Sequence, residues 1–102
     1  MNKKVMVGHL MLYYDTYINM KKQIERGLIG NIRYIYSNRL SLGKLRKEED
    51  MLWSFAPHYI SMVLNLIKEK LISIEAFGGS YVNKRVKDTP VTLLKFKKNI
   101  FF

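Results

Sequence analysis

From Trp53 to Ile67 the chain reads WSFAPHYISMVLNLI, almost entirely apolar, and this run constrains the fold more than any other stretch. The pattern predicts a helix buried nearly all round. Its exceptions are Ser54, His58, Ser61, Asn65 and then Lys68, whose steps of four, three, four and three keep them on one helical face. A polar stripe on a buried helix must meet polar groups. These are either the chain's own backbone and side chains or the wall of a ligand pocket. Ala56-Pro57 sets a proline near the expected helix start, where its missing N–H costs little and its fixed φ is already helical. His58 then falls in the first turn, as an imidazole able to accept or relay a proton near neutral pH. A solitary histidine in a buried helix is more often a hydrogen-bonded core residue. The ligand reading rests on its surroundings, because Asn38, Arg39, Arg46 and Trp53 lie within the preceding twenty residues. They carry amide, guanidinium and indole donors suited to an oxygen-rich ligand.

Around this helix the sequence reads as α+β, with a mixed or antiparallel sheet and two main helices. Lys4 to Val7 has the pattern of a short strand. Asp15 or Thr16 is placed to cap a helix with apolar positions Tyr17, Met20, Ile24 and Leu28, ending at Gly27 or Gly30. Lys21, Lys22, Gln23, Glu25 and Arg26 occupy its other side, the pattern of an ordinary amphipathic helix. From Asn31 to Ser41, Ile32, Tyr34, Tyr36 and Asn38 alternate with Arg33, Ile35, Ser37 and Arg39, as in a strand. A regular strand puts Asn38 and Arg39 on opposite faces, so only one of them points at a site unless the strand bends or bulges. The segment GKLRKEED, Gly43 to Asp50, reads as a charged loop carrying Arg46. Leu71 to Ala76 and Tyr81-Val82 read as strand around Gly78-Gly79, and Thr89 to Phe96 as a further strand. The sequence ends at Phe101-Phe102, and a sheet stopping there leaves an open edge and the aromatics Phe96, Phe101 and Phe102 uncovered. Lys97 and Lys98 would act as gatekeepers against runaway pairing.

Length and composition narrow the classes. A chain of 102 residues with 48% hydrophobic residues builds one thin-cored domain. With no cysteine there is no disulfide framework, thiolate nucleophile or thiolate metal site. His9 and His58 are the only imidazoles, too few for a histidine-based metal centre. No signal-peptide layout opens the sequence and no apolar run approaches membrane-span length, so a cytoplasmic location without membrane association is expected. The net charge of +10 gives any chain some affinity for phosphates. Thirteen of the eighteen cations are lysines dispersed from Lys3 to Lys98, and frequent Lys, Asn, Ile, Tyr and Phe match the codon bias of an A/T-rich genome. That distribution, with no recognisable nucleic-acid fold motif, argues against a nucleic-acid partner.

Four motifs in order carry a resemblance. They are Val7-Gly8-His9 with Tyr13; the helix end Gly27-Leu28-Ile29-Gly30-Asn31-Ile32; Tyr36-Ser37-Asn38-Arg39-Leu40; and Leu52-Trp53-Ser54-Phe55-Ala56-Pro57-His58. Together the chain resembles the Gfo/Idh/MocA oxidoreductases, and most closely the members acting on nucleotide-linked sugars or related polyols. A complete subunit of that family is about three times longer, with a Rossmann domain followed by an α+β substrate domain. The resemblance implies that residues 1–14 correspond to the end of the last Rossmann strand and the junction, with His9 and Tyr13 there. Residues 15–102 correspond to part of the substrate-binding and dimerisation domain. It implies His58 as the catalytic, proton-handling residue, Asn38, Arg39, Arg46 and Trp53 as substrate contacts, a sugar-type small molecule as ligand, and NAD or NADP as cofactor. It also implies a homo-oligomer formed through the open sheet face.

Two family features are missing from the sequence. No G-x-G-x-x-G turn is present to cradle a dinucleotide pyrophosphate, and no Glu-Lys-Pro motif supplies the lysine that deprotonates a substrate hydroxyl. Tyr59 follows the histidine where relatives often carry an acid, and Ser54 stands where Asp is frequent. The expectation is thus a part of an NAD(P)-dependent sugar or polyol dehydrogenase, inactive alone, either the product of a shortened gene or one half of a split enzyme whose Rossmann domain is a separate chain. The alternative is a non-catalytic carbohydrate-binding or protein-interaction module.

Overall fold

A computed structural model describes residues 2–40, 51–82 and 84–102. Two helices pack beside a small antiparallel sheet. In order come a 3₁₀ turn at Leu10–Tyr13, α1 (Asp15–Glu25), α2 (Met51–Leu66), β1 (Leu71–Gly79), β2 (Thr89–Phe96), a turn at Lys97–Asn99, and β3 (Ile100–Phe101). The sheet order is β1-β2-β3, open at its edges. This is the α+β class expected, with two helices.

α1 begins one or two residues earlier than predicted from a cap at Asp15 or Thr16. Tyr14 is its cap in extended conformation, without a side-chain hydrogen bond, and Asp15 lies in the first turn where the helix dipole favours a carboxylate. Its other end follows the chemistry of the glycine. Gly27 takes φ 83°, its N–H donates to the Ile24 carbonyl at 2.9 Å, and the Leu28 N–H donates to the Gln23 carbonyl at 3.2 Å. That is the Schellman pairing, which satisfies carbonyls the helix leaves orphaned.

The core is thin. Val63 and Ile67 pack on Leu94 and Phe96, the last two only 1% exposed, with Ile35, Ile60, Leu71, Ile100 and Phe102 partly buried around them. Each such burial is worth about 1.5–3 kcal/mol. Because side chains alternate across a strand, seating Leu94 and Phe96 beneath α2 turns Val91, Leu93 and Lys95 to the other face. Register puts Phe77 opposite Val91, Glu75 opposite Leu93, and Ser73 and Phe101 on either side of Lys95, so these share the open face.

Several expectations change. α2 is not buried all round: within it only Val63 is fully buried, and Trp53 is 78% exposed on an outward face shared with Leu64. The apolar run exceeds what a three-stranded sheet and one short helix can cover. Pro57 lies inside α2 and not at its start, which moves His58 to the eighth residue of the helix, beyond the first turn. Lys4 to Val7 forms no strand, and Val5 is 96% exposed, because no neighbouring strand offers it hydrogen bonds. Residues 31–40 form no strand beyond a parallel bridge from Tyr34 to Phe101 among the described residues. Tyr81-Val82 is a bend and not strand, while β1 runs on through Gly78 and Gly79.

The end of the chain also differs. The sheet does not stop at β2, because Lys98 and Asn99 adopt left-handed backbone, φ 60° and 56°, and reverse the chain into β3. Leu94 and Phe102 then exchange backbone hydrogen bonds at 2.7 and 2.9 Å. Phe96 is accordingly buried and Phe102 half-buried, so of the three terminal aromatics Phe101 is the exposed one. Lys98 pairs with Glu69 at 2.5 Å.

Candidate functional site

The polar stripe of α2 meets α1. The Tyr17 hydroxyl lies 2.9 Å from both the Met62 carbonyl and Asn65 Oδ1, Lys21 Nζ donates to the same Oδ1 at 2.7 Å, and Lys68 pairs with Glu25 at 3.6 Å. Ser61 turns back on its own helix and donates to the His58 carbonyl at 2.8 Å. Three of the expected stripe residues, Ser61, Asn65 and Lys68, are therefore met by the chain's own groups. Burial pushes the Tyr17 hydroxyl's pKa up, and the nearby Glu25 charge adds to this. The His58 ring is the exception in the stripe, since its buried Nδ1 has no hydrogen-bond partner among the described residues.

A cleft of about 610 Å³ opens on a different face of α2. One wall is Met51, Leu52, Phe55, Ala56, Tyr59 and Ile60, spaced by three or four residues and so set on one side of the helix. Ser37 to Leu40 form the second wall, and the start of β2 with Asp88 and Phe102 forms the third. The volume suits a small-molecule ligand. Asn38 and Arg39 both line it, since residues 31–40 do not hold a regular strand whose alternation would separate them.

Arg39 is held from two sides. Its Nη1 donates to the Tyr59 hydroxyl at 2.9 Å, and its guanidinium carbon sits 4.2 Å from the centre of the Phe55 ring. Asp88 also lines the cleft, but both its oxygens serve the β1–β2 connection: Oδ1 accepts from the Tyr81 N–H at 3.1 Å and the Thr89 hydroxyl at 3.0 Å, and Oδ2 from the Val82 N–H at 2.7 Å. A second hollow of about 600 Å³ near Arg33 contains Lys68 and Lys98, but these are paired with Glu25 and Glu69.

The residues expected at a site are thus divided. Asn38 and Arg39 come together in the cleft; His58 and Trp53 are not among its lining residues. His9 is exposed with a left-handed backbone, φ 40°, at the head of the first 3₁₀ turn, and Tyr13 borders a shallow hollow with Tyr17, Lys21 and Asn65. Arg46 and the loop Gly43 to Asp50 lie outside the described residues. Tyr59, Phe55 and Asp88 were not legible as site residues. The signal for the first two was their spacing of four on α2, and for Asp88 its place just before Thr89-Pro90, where a carboxylate caps a turn.

No group of three or more metal-ligating side chains occurs among the described residues. No helix among them is long and apolar enough to cross a membrane. The fold and cleft define a class: a small α+β domain with an open antiparallel sheet and a ligand-sized cleft against its longer helix. No family model, curated protein or solved structure matches the chain.

Proposed function

We propose that this chain is the substrate-domain part of an NAD(P)-dependent sugar or polyol dehydrogenase of the Gfo/Idh/MocA type, inactive alone, with the 610 Å³ cleft as its sugar site. The observation that carries the reading is the convergence of Asn38 and Arg39 on one cleft beside α2, the two residues that the resemblance names as substrate contacts.

The residues present do not fit a dinucleotide. Gly27 and Gly30 follow the C-terminus of α1 and Gly78 and Gly79 lie in β1, so none of these forms the strand-to-helix turn that receives a pyrophosphate. Cofactor binding is therefore assigned to a Rossmann domain outside these residues. Two quantities support a need for partners. The accessible surface is 8913 Å², against about 6,000 Å² for a compact monomer of this mass. The radius of gyration is 16.1 Å, against roughly 13 Å for a compact chain of this length. A homo-oligomer through the open sheet face, with Phe77, Val91 and Leu93, would cover part of that excess.

The test is a titration of the purified chain with NADH and NADPH, with and without a Rossmann-domain chain, while backbone amide signals of Asn38 and Arg39 are followed as D-glucose and myo-inositol are added. Nucleotide binding only with both chains present, and polyol shifts at the cleft, are expected. Nucleotide binding by the isolated chain, or polyol shifts elsewhere, would overturn the reading. The second reading, a non-catalytic carbohydrate-binding module, is favoured by the absence of His58 from the cleft lining. It predicts sugar shifts that persist with no effect of any Rossmann chain.

A further inference from the structure

We propose that the cleft selects a ligand bearing a carboxylate, a sugar acid and not a neutral or phosphorylated sugar, with Arg39 as the carboxylate-binding residue and Tyr59 and Phe55 as its positioning residues. This rests on the cleft being the sugar site.

The argument begins with charge. A guanidinium is permanently protonated, and its planar fork of five N–H donors matches a carboxylate bidentately. Both contacts that hold Arg39 are neutral: a phenolic oxygen at 2.9 Å takes one Nη1 hydrogen, and the Phe55 ring lies 4.2 Å beneath the guanidinium. They restrict the side chain without cancelling its charge, so less conformational entropy is lost when a ligand binds. The other charged side chain among the described lining residues is Asp88, whose two oxygens are met by the Tyr81 and Val82 N–H groups and the Thr89 hydroxyl. Among the described residues Arg39 is thus the lining cation, opposite apolar side chains of Met51, Leu52, Ile60 and Phe102.

Among these described residues the ligand is chosen by its charge match to Arg39. A carboxylate brings one negative charge to one guanidinium. A phosphate monoester brings between about 1.5 and 2 at neutral pH, leaving uncompensated charge against apolar surface. A neutral sugar leaves the guanidinium without an ionic partner.

The experiment is isothermal titration of the full chain at fixed ionic strength with D-glucuronate, D-glucose and D-glucose 6-phosphate, repeated for Arg39→Gln, Arg39→Lys and Tyr59→Phe. Glucuronate is expected to bind about tenfold more tightly than either competitor, as a charge-assisted pair allows. Arg39→Gln should erase that ratio while leaving glucose binding in place, Arg39→Lys should retain part of it, and Tyr59→Phe should lower it, which a purely structural role for Tyr59 would not. Equal binding of glucuronate and glucose would overturn the carboxylate assignment and leave the sugar site standing. Tighter binding of the 6-phosphate would likewise overturn it. No binding of any of the three would overturn both readings.

Discussion

The Tyr17 hydroxyl and Asn65 Oδ1 lie 2.9 Å apart across 48 positions of sequence, and this contact ties α1 to α2. Tyr17 is buried, and Lys21 to Asn65 and Glu25 to Lys68 add polar contacts between α1 and the end of α2. Tyr17→Phe should therefore cost about 1 kcal/mol, the usual loss of a buried hydrogen bond, read as a lower urea midpoint by circular dichroism.

The same hydroxyl predicts an alkaline limit. Its pKa is raised by burial and by Glu25, so the folded state holds the proton where the unfolded chain releases it. The stabilisation is complete below about pH 10, the ordinary tyrosine value, and declines as pH rises from there through the folded-state value. Urea midpoints measured between pH 8 and 11 should fall at the alkaline end, and the fall should be shallower in Tyr17→Phe.

At the end of α1, Gly27→Ala should destabilise by about 1 kcal/mol, because φ 83° is costly for a residue with a Cβ. No atom lies within 4 Å of where that Cβ would sit, so the penalty is conformational and not steric crowding. Gly27→Asn should recover part of it, since asparagine tolerates the left-handed region. Equal losses for both variants would count against this account.

In the core, Phe96→Ala should cost about 3–5 kcal/mol, close to the whole stability of a small domain, while Phe101→Ala on the open face costs far less. Thermal unfolding of the two proteins separates them: loss of a cooperative transition is expected for the first and its retention for the second.

His58 sets stability against the proton-handling role proposed for it. Its buried Nδ1 has no partner among the described residues, and replacing such a group with an apolar one of similar size is neutral or stabilising. His58→Leu should hold or raise the unfolding midpoint while abolishing turnover in an enzyme reconstituted with its Rossmann chain. Full turnover by that variant would remove the proton-handling role.

The open sheet face predicts self-association. Static light scattering should show a dimer or larger species at micromolar concentration, and Leu93→Lys should shift it to monomer by placing a charge between Phe77, Val91 and Phe101. A monomeric wild-type chain would contradict this.

What could be read from sequence was whatever depends on near neighbours. The amphipathic spacing of Tyr17 and Ile24, the glycine stop at Gly27, the whole of Thr89 to Phe96 as strand and the existence of a helix at Trp53 all follow from local periodicity and backbone chemistry, so they emerge as expected. The polar stripe was legible as well, but not its destination: only the docking of α1 decides that Asn65 receives Tyr17 and Lys21.

Tertiary structure alone settled which faces are covered. α2 looked buried because its residues are apolar, yet coverage depends on how much sheet and helix lie opposite, and here Trp53 and Leu64 stay exposed. Asn38 and Arg39 share a cleft because, among the described residues, their segment has a bridge at Tyr34 to Phe101 and no ladder to enforce alternation. Periodicity records which side of an element is apolar. The partner that meets that side is a long-range contact, and it has no local signature in the chain.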